Sequence, residues 1–210
     1  DVDLVLSYGE LYQRCCQMSN ALRHRGVNPG DTVAILSPNS HEMLESHYSV
    51  PMAGAVINPI NIRLDAATLS FILEHGEARV LFYDTDWENV VRAAVSVMEV
   101  PPLLISIESK AGESDGLAQQ DYESLLLEGN EEASWQHPND EWDAIALNYT
   151  SGTTGNPKGV IYHHRGAFLA AMTNSMVFQM TPETVYLWTL PMFHCNGWAY
   201  TWAITAVGGT

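Results

Sequence analysis

Cysteines, basic residues and long apolar runs are all scarce in this chain of 210 residues. Two of the three cysteines are the neighbours Cys15 and Cys16, which rarely reach disulfide geometry, so a disulfide framework is excluded and a reducing, cytoplasmic location is expected. Nine Lys and Arg against 25 Asp and Glu give a formal net charge of −16, which excludes nucleic acid and anionic membrane surfaces as expected partners. No apolar run approaches the roughly 20 residues that cross a bilayer, so no integral membrane segment is expected.

The chain does contain a regular alternation of helical and extended patterns. Hydrophobic residues make up 46% of the sequence and charged residues 16%, which is the composition of a folded domain. The alternation predicts an α/β fold in which βαβ layers build mostly parallel sheets. Ser7 and Asp65 are candidate helix caps, and Gly26 is predicted to end the first helix. Helices are predicted at residues 8–25, 40–53, 65–75 and 87–97, and strands at residues 32–36, 55–57, 79–83, 103–107 and 144–149.

Residues from about 108 to 141 interrupt this alternation. They are acidic and rich in Gly, Ser, Gln and Asn, with one modest apolar patch at residues 125–127, and are predicted to form a surface connection between two parts of the sheet. The chain opens on Asp1 and stops after the pair Gly208 and Gly209, so we expect a fragment of a longer protein.

The segment from Thr150 to Gly159 carries the clearest chemistry. An apolar strand leads directly into the string TSGTTGNPKG, which offers close-approaching backbone N–H groups, several hydroxyl donors and the ammonium of Lys158. These are the groups that cradle a polyphosphate. The Walker A loop needs Gly-Lys followed by Ser or Thr, whereas Lys158 stands between Pro157 and Gly159, so that type of loop is excluded.

A plain flexible turn is the alternative interpretation of the same segment. Three glycines and a proline at these positions arise by chance on the order of 10⁻⁵ per start point, given average usage of Gly and Pro. The strand context and the position of Lys158 make a chance match rarer still. The pattern therefore favours the phosphate cradle.

The string YTSGTTGNPKGV resembles the signature loop of the adenylate-forming superfamily. About 40 residues later, LPMFHCNGW is similar to the next core motif of that family, and Asn58 to Asn61 with Arg63 and Leu64 resembles the early part of fatty-acyl ligases. The resemblance covers the whole chain and is nearest to fatty-acyl, medium-chain and methylthiopropionate CoA ligases. It implies that residues 1–210 are the N-terminal part of a large AMP-binding domain, with the family's mobile C-terminal domain absent.

The resemblance also implies an activity. Members of the family use ATP and Mg²⁺ to activate a carboxylic acid as an acyl-adenylate and then transfer the acyl group to coenzyme A; related fatty-acyl enzymes suggest a homodimer. Two alternatives stay open: adenylation for another acceptor, such as a carrier-protein thiol or a luciferase-like oxidation, and a non-catalytic nucleotide-binding remnant. The isolated fragment is expected to be inactive.

Individual roles follow from the matching positions. By resemblance, Lys158 is catalytic and Thr150 is the loop hydroxyl on Mg²⁺. The residues implied to bind the β- and γ-phosphates are Ser151, Gly152, Thr153, Thr154, Gly155 and Lys158.

The second motif supplies two further candidates. His194 matches a residue that lines the family's acyl site, although a lone histidine is more often a packed or surface residue; we favour a catalytic role. Trp198 matches an aromatic gate between the ATP site and the acyl tunnel, with a core tryptophan on a helix as the alternative. Cys195 is not expected to be a nucleophile, and neither His163 nor His164 has a partner at zinc-ligand spacing.

Overall fold

The computed structural model describes residues 4–108, 116–132, 134–150 and 156–210, and within them the predicted alternation of helices and strands is present. A 3-10 turn at Thr85–Trp87 precedes the fourth helix. The helices are α1 (Tyr8–His24), α2 (His41–Met52), α3 (Ala66–His75), α4 (Glu88–Val95), α5 (Tyr122–Leu126), α6 (His164–Val177), the single turn α7 (Cys195–Trp198) and α8 (Tyr200–Val207). The strands are β1 (Thr32–Leu36), β2 (Val56–Pro59), β3 (Ala78–Asp84), β4 (Leu103–Ile107), β5 (Gln120–Asp121), β6 (Ala144–Thr150) and β7 (Lys158–His163).

These strands form a sheet with the order β5-β4-β3-β1-β2-β6-β7. Strands β1 to β6 pair in parallel, and β7 returns antiparallel to β6, which confirms the predicted α/β fold. Because the chain leaves β2 and crosses β1 to reach β3, the strand order reverses direction there. The carboxyl ends of the strands beside such a reversal are where α/β sheets bind their ligands.

Alternate residues of the central strands face two separate cores. Val33 and Ile35 pack with α1, α2 and α5, whereas Ala34 and Leu36 pack with α3 and α4. A strand buried on both faces reads as an unbroken apolar run rather than an alternating one. This explains why the sequence pattern predicted the strands without showing which face each residue would meet.

Two predicted helix starts are confirmed by their capping contacts. The Ser7 hydroxyl accepts a hydrogen bond from the Glu10 N–H at 3.2 Å, and the Glu10 carboxylate accepts one from the Ser7 N–H at 2.7 Å. This reciprocal pair satisfies backbone donors that the first helical turn leaves without partners. Asp65 caps α3 by accepting from the Thr68 N–H at 2.8 Å. Gly26 follows α1 with a φ of 85°, as expected for a glycine that ends a helix.

The acidic segment at 108–141 differs in part from its predicted surface course. Residues 120–126 form β5 and α5, with Tyr122, Leu125 and Leu126 fully buried, and the Tyr122 ring packs 5.2 Å from that of Phe82. A helix of five residues is too short to show a clear hydrophobic periodicity. The acidic residues around it therefore led to the prediction of a surface connection. Residues 109–115 and 133 lie outside the described part of the chain.

A buried ion pair joins α1 to α2. The Glu45 side chain is 1% exposed, accepts from Arg14 Nε at 2.6 Å, and also accepts from the Tyr122 hydroxyl at 3.0 Å. Burial raises the pKa of the Glu45 carboxyl, and the Arg14 guanidinium opposes that rise. Removing Arg14 would therefore leave the buried Glu45 carboxylate without a compensating charge.

None of the helices in the described ranges is long and apolar enough to cross a membrane.

Candidate functional site

The hairpin formed by β6 and β7 holds the predicted phosphate segment. Thr150 at the end of β6 lies opposite Lys158 at the start of β7, and Tyr149 lies opposite Gly159. Both Thr150 and Lys158 are exposed. The predicted phosphate-binding residues Ser151, Gly152, Thr153, Thr154 and Gly155 lie outside the described residues. The structure therefore places the two flanking candidates across from each other at the carboxyl end of β6.

A cavity of about 440 Å³ lies beside this hairpin, at the carboxyl ends of β2 and β6. It brings Thr150 and His194 together, which are 44 positions apart in the sequence numbering. The Asn58 and Asn148 side chains are buried here, and the Oδ1 atom of each has no hydrogen-bond partner among the described residues. The lining includes Asn58, Pro59, Asn61, Asn148, Tyr149, Thr150, Tyr162, Phe193, His194 and Cys195. Lys158 is not part of the described lining.

The turn α7, which follows His194, has a left-handed backbone. The φ angles are 50° at Cys195, 52° at Asn196, 57° at Gly197, 59° at Trp198 and 62° at Ala199. A residue with a Cβ atom adopts this conformation at a cost of about 1–2 kcal/mol. The right-handed helix that would include Trp198 under the alternative interpretation therefore begins two residues later, at α8.

Gly197 is the one position in the turn where a side chain would also collide. A Cβ atom there would lie 2.8 Å from Cζ3 of Trp188, closer than real Cβ contacts allow. The glycine of the HCNGW string therefore has a steric reason in addition to its backbone conformation.

A chain of buried hydrogen bonds anchors this turn. Asn148 Nδ2 donates to Asn196 Oδ1 at 2.8 Å, and Asn196 Nδ2 lies 3.1 Å from His47 Nε2. His47 Nδ1 is 2.7 Å from the Met43 carbonyl oxygen, which can only accept, so Nδ1 carries the proton and Nε2 accepts from Asn196. The sequence did not predict His47 as a residue of the site. It sits inside an ordinary helical pattern, and its partner lies 149 positions away.

Burial lowers the pKa of His47 from 6.5 to about 4, which predicts acid sensitivity. Between these two pH values the unfolded chain binds a proton that the folded chain excludes, so the free energy of unfolding falls as the pH falls. From pH 7 to pH 5 we expect His47 to contribute a loss of about 2 kcal/mol. Denaturant unfolding of the wild type and the His47→Gln variant at both pH values measures it, and equal pH dependence in the two proteins would contradict it.

Trp198 and Cys195 border a second cavity, of about 480 Å³. Trp198 is 63% exposed, so within this chain it is not a buried core residue. Cys195 lines both cavities, and its sulfur is 3.9 Å from His194 Nδ1, a long contact that does not resemble an activated nucleophile–base pair. Other residues of the second cavity are Ile161, Tyr162, His163, Gly166, Ala170, Asn174 and Ala199.

The two histidines after the hairpin have structural contacts. His163 caps α6, with Nδ1 accepting from the Gly166 N–H at 2.8 Å, and its ring packs 4.6 Å from that of Trp142. Burial lowers the pKa of His164, and the nearby Asp143 opposes that effect.

A Mg²⁺ ion requires hard oxygen ligands in near-octahedral geometry. Thr150 offers one hydroxyl, and no carboxylate lines the described part of the cavity beside it. Among the described residues, a group of potential metal ligands is formed by His41, Glu42 and Glu123, but Arg14 already pairs with Glu123. The described oxygen donors of this cavity include the Thr150 hydroxyl and the amide oxygens of Asn58 and Asn148, which would supply part of the ligand set of Mg²⁺.

The fold and the site together define a doubly wound α/β protein with a candidate phosphate loop at the carboxyl edge of its sheet. Residues 3–210 match the family described as AMP-binding enzyme, and the chain belongs to that family. It is 42% identical over 217 residues to acetate/butyrate–CoA ligase AAE7, peroxisomal, of Arabidopsis thaliana, and 42% identical over 220 residues to trans-cinnamate:CoA ligase, peroxisomal, of Petunia hybrida. These alignments cover 97% of this chain and 38% and 39% of the two relatives. The chain therefore spans well under half of their length.

Solved structures share the same fold. The N-terminal domain of FACL13 from Mycobacterium tuberculosis superposes with a TM-score of 0.85 at 27% identity, over 99% of this chain and 50% of that one. The anthranilate CoA ligase AuaEII superposes with a TM-score of 0.88 at 22% identity, over 99% of this chain and 40% of that one. The predicted fold class, the N-terminal part of an adenylate-forming domain, is confirmed by these similarities.

Proposed function

We propose that this chain is part of an ATP-dependent ligase that converts a carboxylic acid to its CoA thioester through an acyl-adenylate, releasing pyrophosphate and AMP. The observation that carries the proposal is the hairpin that sets Thr150 opposite Lys158 at the two ends of the TSGTTGNPK segment, beside the cavity that contains His194. Membership in the AMP-binding enzyme family, and relatives named as CoA ligases, support it.

The reaction must overcome the poor electrophilicity of a carboxylate. A carboxylate oxygen attacks the α-phosphorus of ATP, the bond from that phosphorus to pyrophosphate breaks, and the acyl group becomes joined to a good leaving group. The CoA thiol, after losing its proton, then attacks the acyl carbon and AMP departs. The first step moves negative charge onto pyrophosphate, so preorganised donors at the leaving phosphates lower its barrier.

The candidate residues would divide this work. The Lys158 ammonium would stabilise charge on the leaving phosphates, and the segment Ser151 to Gly155 would donate N–H and O–H groups to them. Mg²⁺, when bound, would neutralise further phosphate charge, with the Thr150 hydroxyl as one of its ligands. His194 would border the acid, since it lies in the cavity shared with Thr150.

For the acid, we propose a short aliphatic or an aromatic carboxylate rather than a fatty acid. The support lies in the relatives, whose names include acetate, butyrate, trans-cinnamate and benzoate. Acid-dependent ATP–pyrophosphate exchange and CoA-thioester formation, measured in the complete ligase with acetate, butyrate, octanoate, benzoate and cinnamate, test both statements. Turnover confined to octanoate would restore the medium-chain interpretation. Exchange without thioester would favour another acceptor, and no exchange with any acid would favour the non-catalytic alternative.

Trp198 is proposed as the gate between the nucleotide and acyl sites. Because Trp198 is 63% exposed, Trp198→Ala should change the relative kcat/KM of small and large acids by about tenfold or more while lowering Tm by less than about 4 °C. Parallel kinetics on acetate and cinnamate, with thermal melting of the same protein, measure both effects.

Trp202 is the matched control for that variant. It is partly buried in the main core and donates from Nε1 to the His47 carbonyl at 3.2 Å. Trp202→Ala should therefore cost about 3–5 kcal/mol of stability. If the two tryptophan variants lose stability equally and Trp198→Ala keeps the wild-type selectivity, Trp198 has no gating role.

Compartment and assembly remain predictions. The Arabidopsis and Petunia ligases are named as peroxisomal, so the cytoplasmic location expected from the cysteine content has no support from those relatives. The homodimer is likewise a proposal, which light scattering of the complete ligase would test.

A further inference from the structure

The left-handed turn at residues 195–199 is the most strained described segment of the backbone near the site. Four of its five residues, Cys195, Asn196, Trp198 and Ala199, carry a Cβ atom at positive φ. Each costs about 1–2 kcal/mol in this conformation, and consecutive left-handed residues are rare outside glycine. Such a segment persists only where surrounding contacts determine it more strongly than local preference.

Asn196 supplies those contacts from the middle of the turn. Its side chain is fully buried, and both ends of its amide are bonded, to Asn148 on β6 and to His47 on α2. The backbone carbonyl oxygen of Asn196 also accepts a hydrogen bond from the Thr201 hydroxyl at 3.2 Å. One residue thus ties the turn to the sheet, to α2 and to α8.

The contact between Met43 and His47 determines which group donates in each hydrogen bond of this network. The Met43 carbonyl can only accept, so His47 Nδ1 donates and Nε2 must accept. The Asn196 amide nitrogen then faces His47, and its oxygen faces the donating nitrogen of Asn148. A reversed Asn196 amide would place donor against donor at Asn148 and acceptor against acceptor at His47. The network therefore admits a single orientation of Asn196.

This anchoring directs the flanking side chains to two different cavities. His194, two positions before Asn196, lines the cavity that contains Thr150. Trp198, two positions after it, lines the second cavity, and its carbonyl oxygen accepts from Asn174 Nδ2 at 2.7 Å. Cys195 borders both cavities. A right-handed turn would rearrange these directions.

We propose that Asn196, held by His47 and Asn148, is a positioning residue that maintains the left-handed turn and thereby orients His194 into the cavity that contains Thr150 and Trp198 into the second cavity. Its catalytic consequence rests on the proposed ligase function, but the geometry can be tested without it. Misplacing a reacting group by about 1 Å can cost up to about 10²-fold in rate.

Alkylation of Cys195 reports the geometry of the turn directly. Cys15 and Cys16 are buried, whereas Cys195 is partly exposed at the first position of the turn. Peptide mapping by mass spectrometry measures the rate at which iodoacetamide modifies Cys195 in the complete ligase, whatever other cysteines are present. Asn196→Ala should change that rate about fivefold or more and lower kcat for pyrophosphate exchange about tenfold or more, with KM for ATP nearly unchanged.

Two further substitutions separate a positioning role from general damage. His47→Gln keeps an acceptor for Asn196, whereas His47→Leu removes it, so the Gln variant should recover a larger share of kcat and of the wild-type alkylation rate. Tyr48→Phe is the control, because it removes part-buried hydrogen bonds to the Thr201 carbonyl oxygen and the Thr205 hydroxyl of α8 but no hydrogen bond made by Asn196 itself. It should leave the alkylation rate as in the wild type.

The outcomes distinguish the two proposals. If alkylation and kcat in Asn196→Ala match those of Tyr48→Phe, the positioning role is wrong. If the wild type shows no acid-dependent exchange, the ligase function is wrong, and the alkylation rates decide the role of Asn196 by themselves. Should Asn196→Ala fail to fold, the comparison of His47→Gln with His47→Leu decides it.

Discussion

Replacing Lys158 by Ala is expected to lower carboxylate-dependent ATP–pyrophosphate exchange by about 10²-fold or more. The backbone of Lys158 pairs with that of Thr150 at the edge of the sheet, from where the Lys158 ammonium would meet charge that develops on the leaving phosphates. Removing one preorganised electrostatic donor of this kind typically costs about 10²–10³ in rate. Exchange measured at saturating acid and ATP gives kcat, and KM for ATP shows how much binding is lost with it.

Arg165 offers a matched control for that substitution. It is an exposed cation at the start of α6, paired at 2.7 Å with Glu141, whose side chain is also exposed. Arg165→Ala removes the same formal charge without removing a group from the hairpin, and should leave exchange within about twofold of the wild type. Equal losses in the two variants would indicate a general field effect and contradict the specific role of Lys158.

Replacing Arg14 by Ala is expected to lower the free energy of unfolding by about 3 kcal/mol. The substitution leaves the Glu45 carboxylate 1% exposed without its cationic partner. A buried ion pair adds little net stability when intact, but breaking one side of it typically costs about 3–5 kcal/mol. Because the Arg14 side chain is 20% exposed and water can enter its space, the lower end of that range is expected.

Arg25 provides the comparison for the buried pair. It bonds Glu128 at 2.6 Å, but that carboxylate is 42% exposed, so Arg25→Ala should cost less than about 1 kcal/mol. Adding Glu45→Gln to Arg14→Ala removes the uncompensated charge and should recover part of the loss. Urea unfolding of the four proteins measures these differences, and similar losses for Arg14→Ala and Arg25→Ala would show that burial of Glu45 is not the cause.

Local patterns predicted α1 to α4 and the strands β1 to β4 and β6, because each of these elements depends on residues that are near neighbours in the chain. The Ser7–Glu10 capping box and the Asp65 cap are encoded within four positions, and both helices begin where expected. The apolar runs of β1, β3 and β4 also correspond to strands. By contrast, α5 was missed, because five residues in an acidic segment carry too little period to reveal that Tyr122 and Leu125 are buried.

At the candidate site, too, some features could be predicted from the sequence and others could not. The sequence by itself determined the phosphate segment and the LPMFHCNGW string, since the chemistry of each is carried by contiguous residues. It also placed Thr150 and Lys158 at the two ends of one loop. It could not show that Trp198 stands outside the right-handed helix, because the preference of Asn196 for a left-handed conformation is weak without its partners.

Only the tertiary structure brought His47 to Asn196, across 149 positions, and so determined the directions taken by His194 and Trp198. Side-chain periodicity indicates which face of an element is buried, but it does not identify the distant polar group that packs against that face. A buried donor or acceptor must find its partner wherever the fold places one. That pairing depends on packing between α2, β6 and α7, and it exists only when all three are assembled.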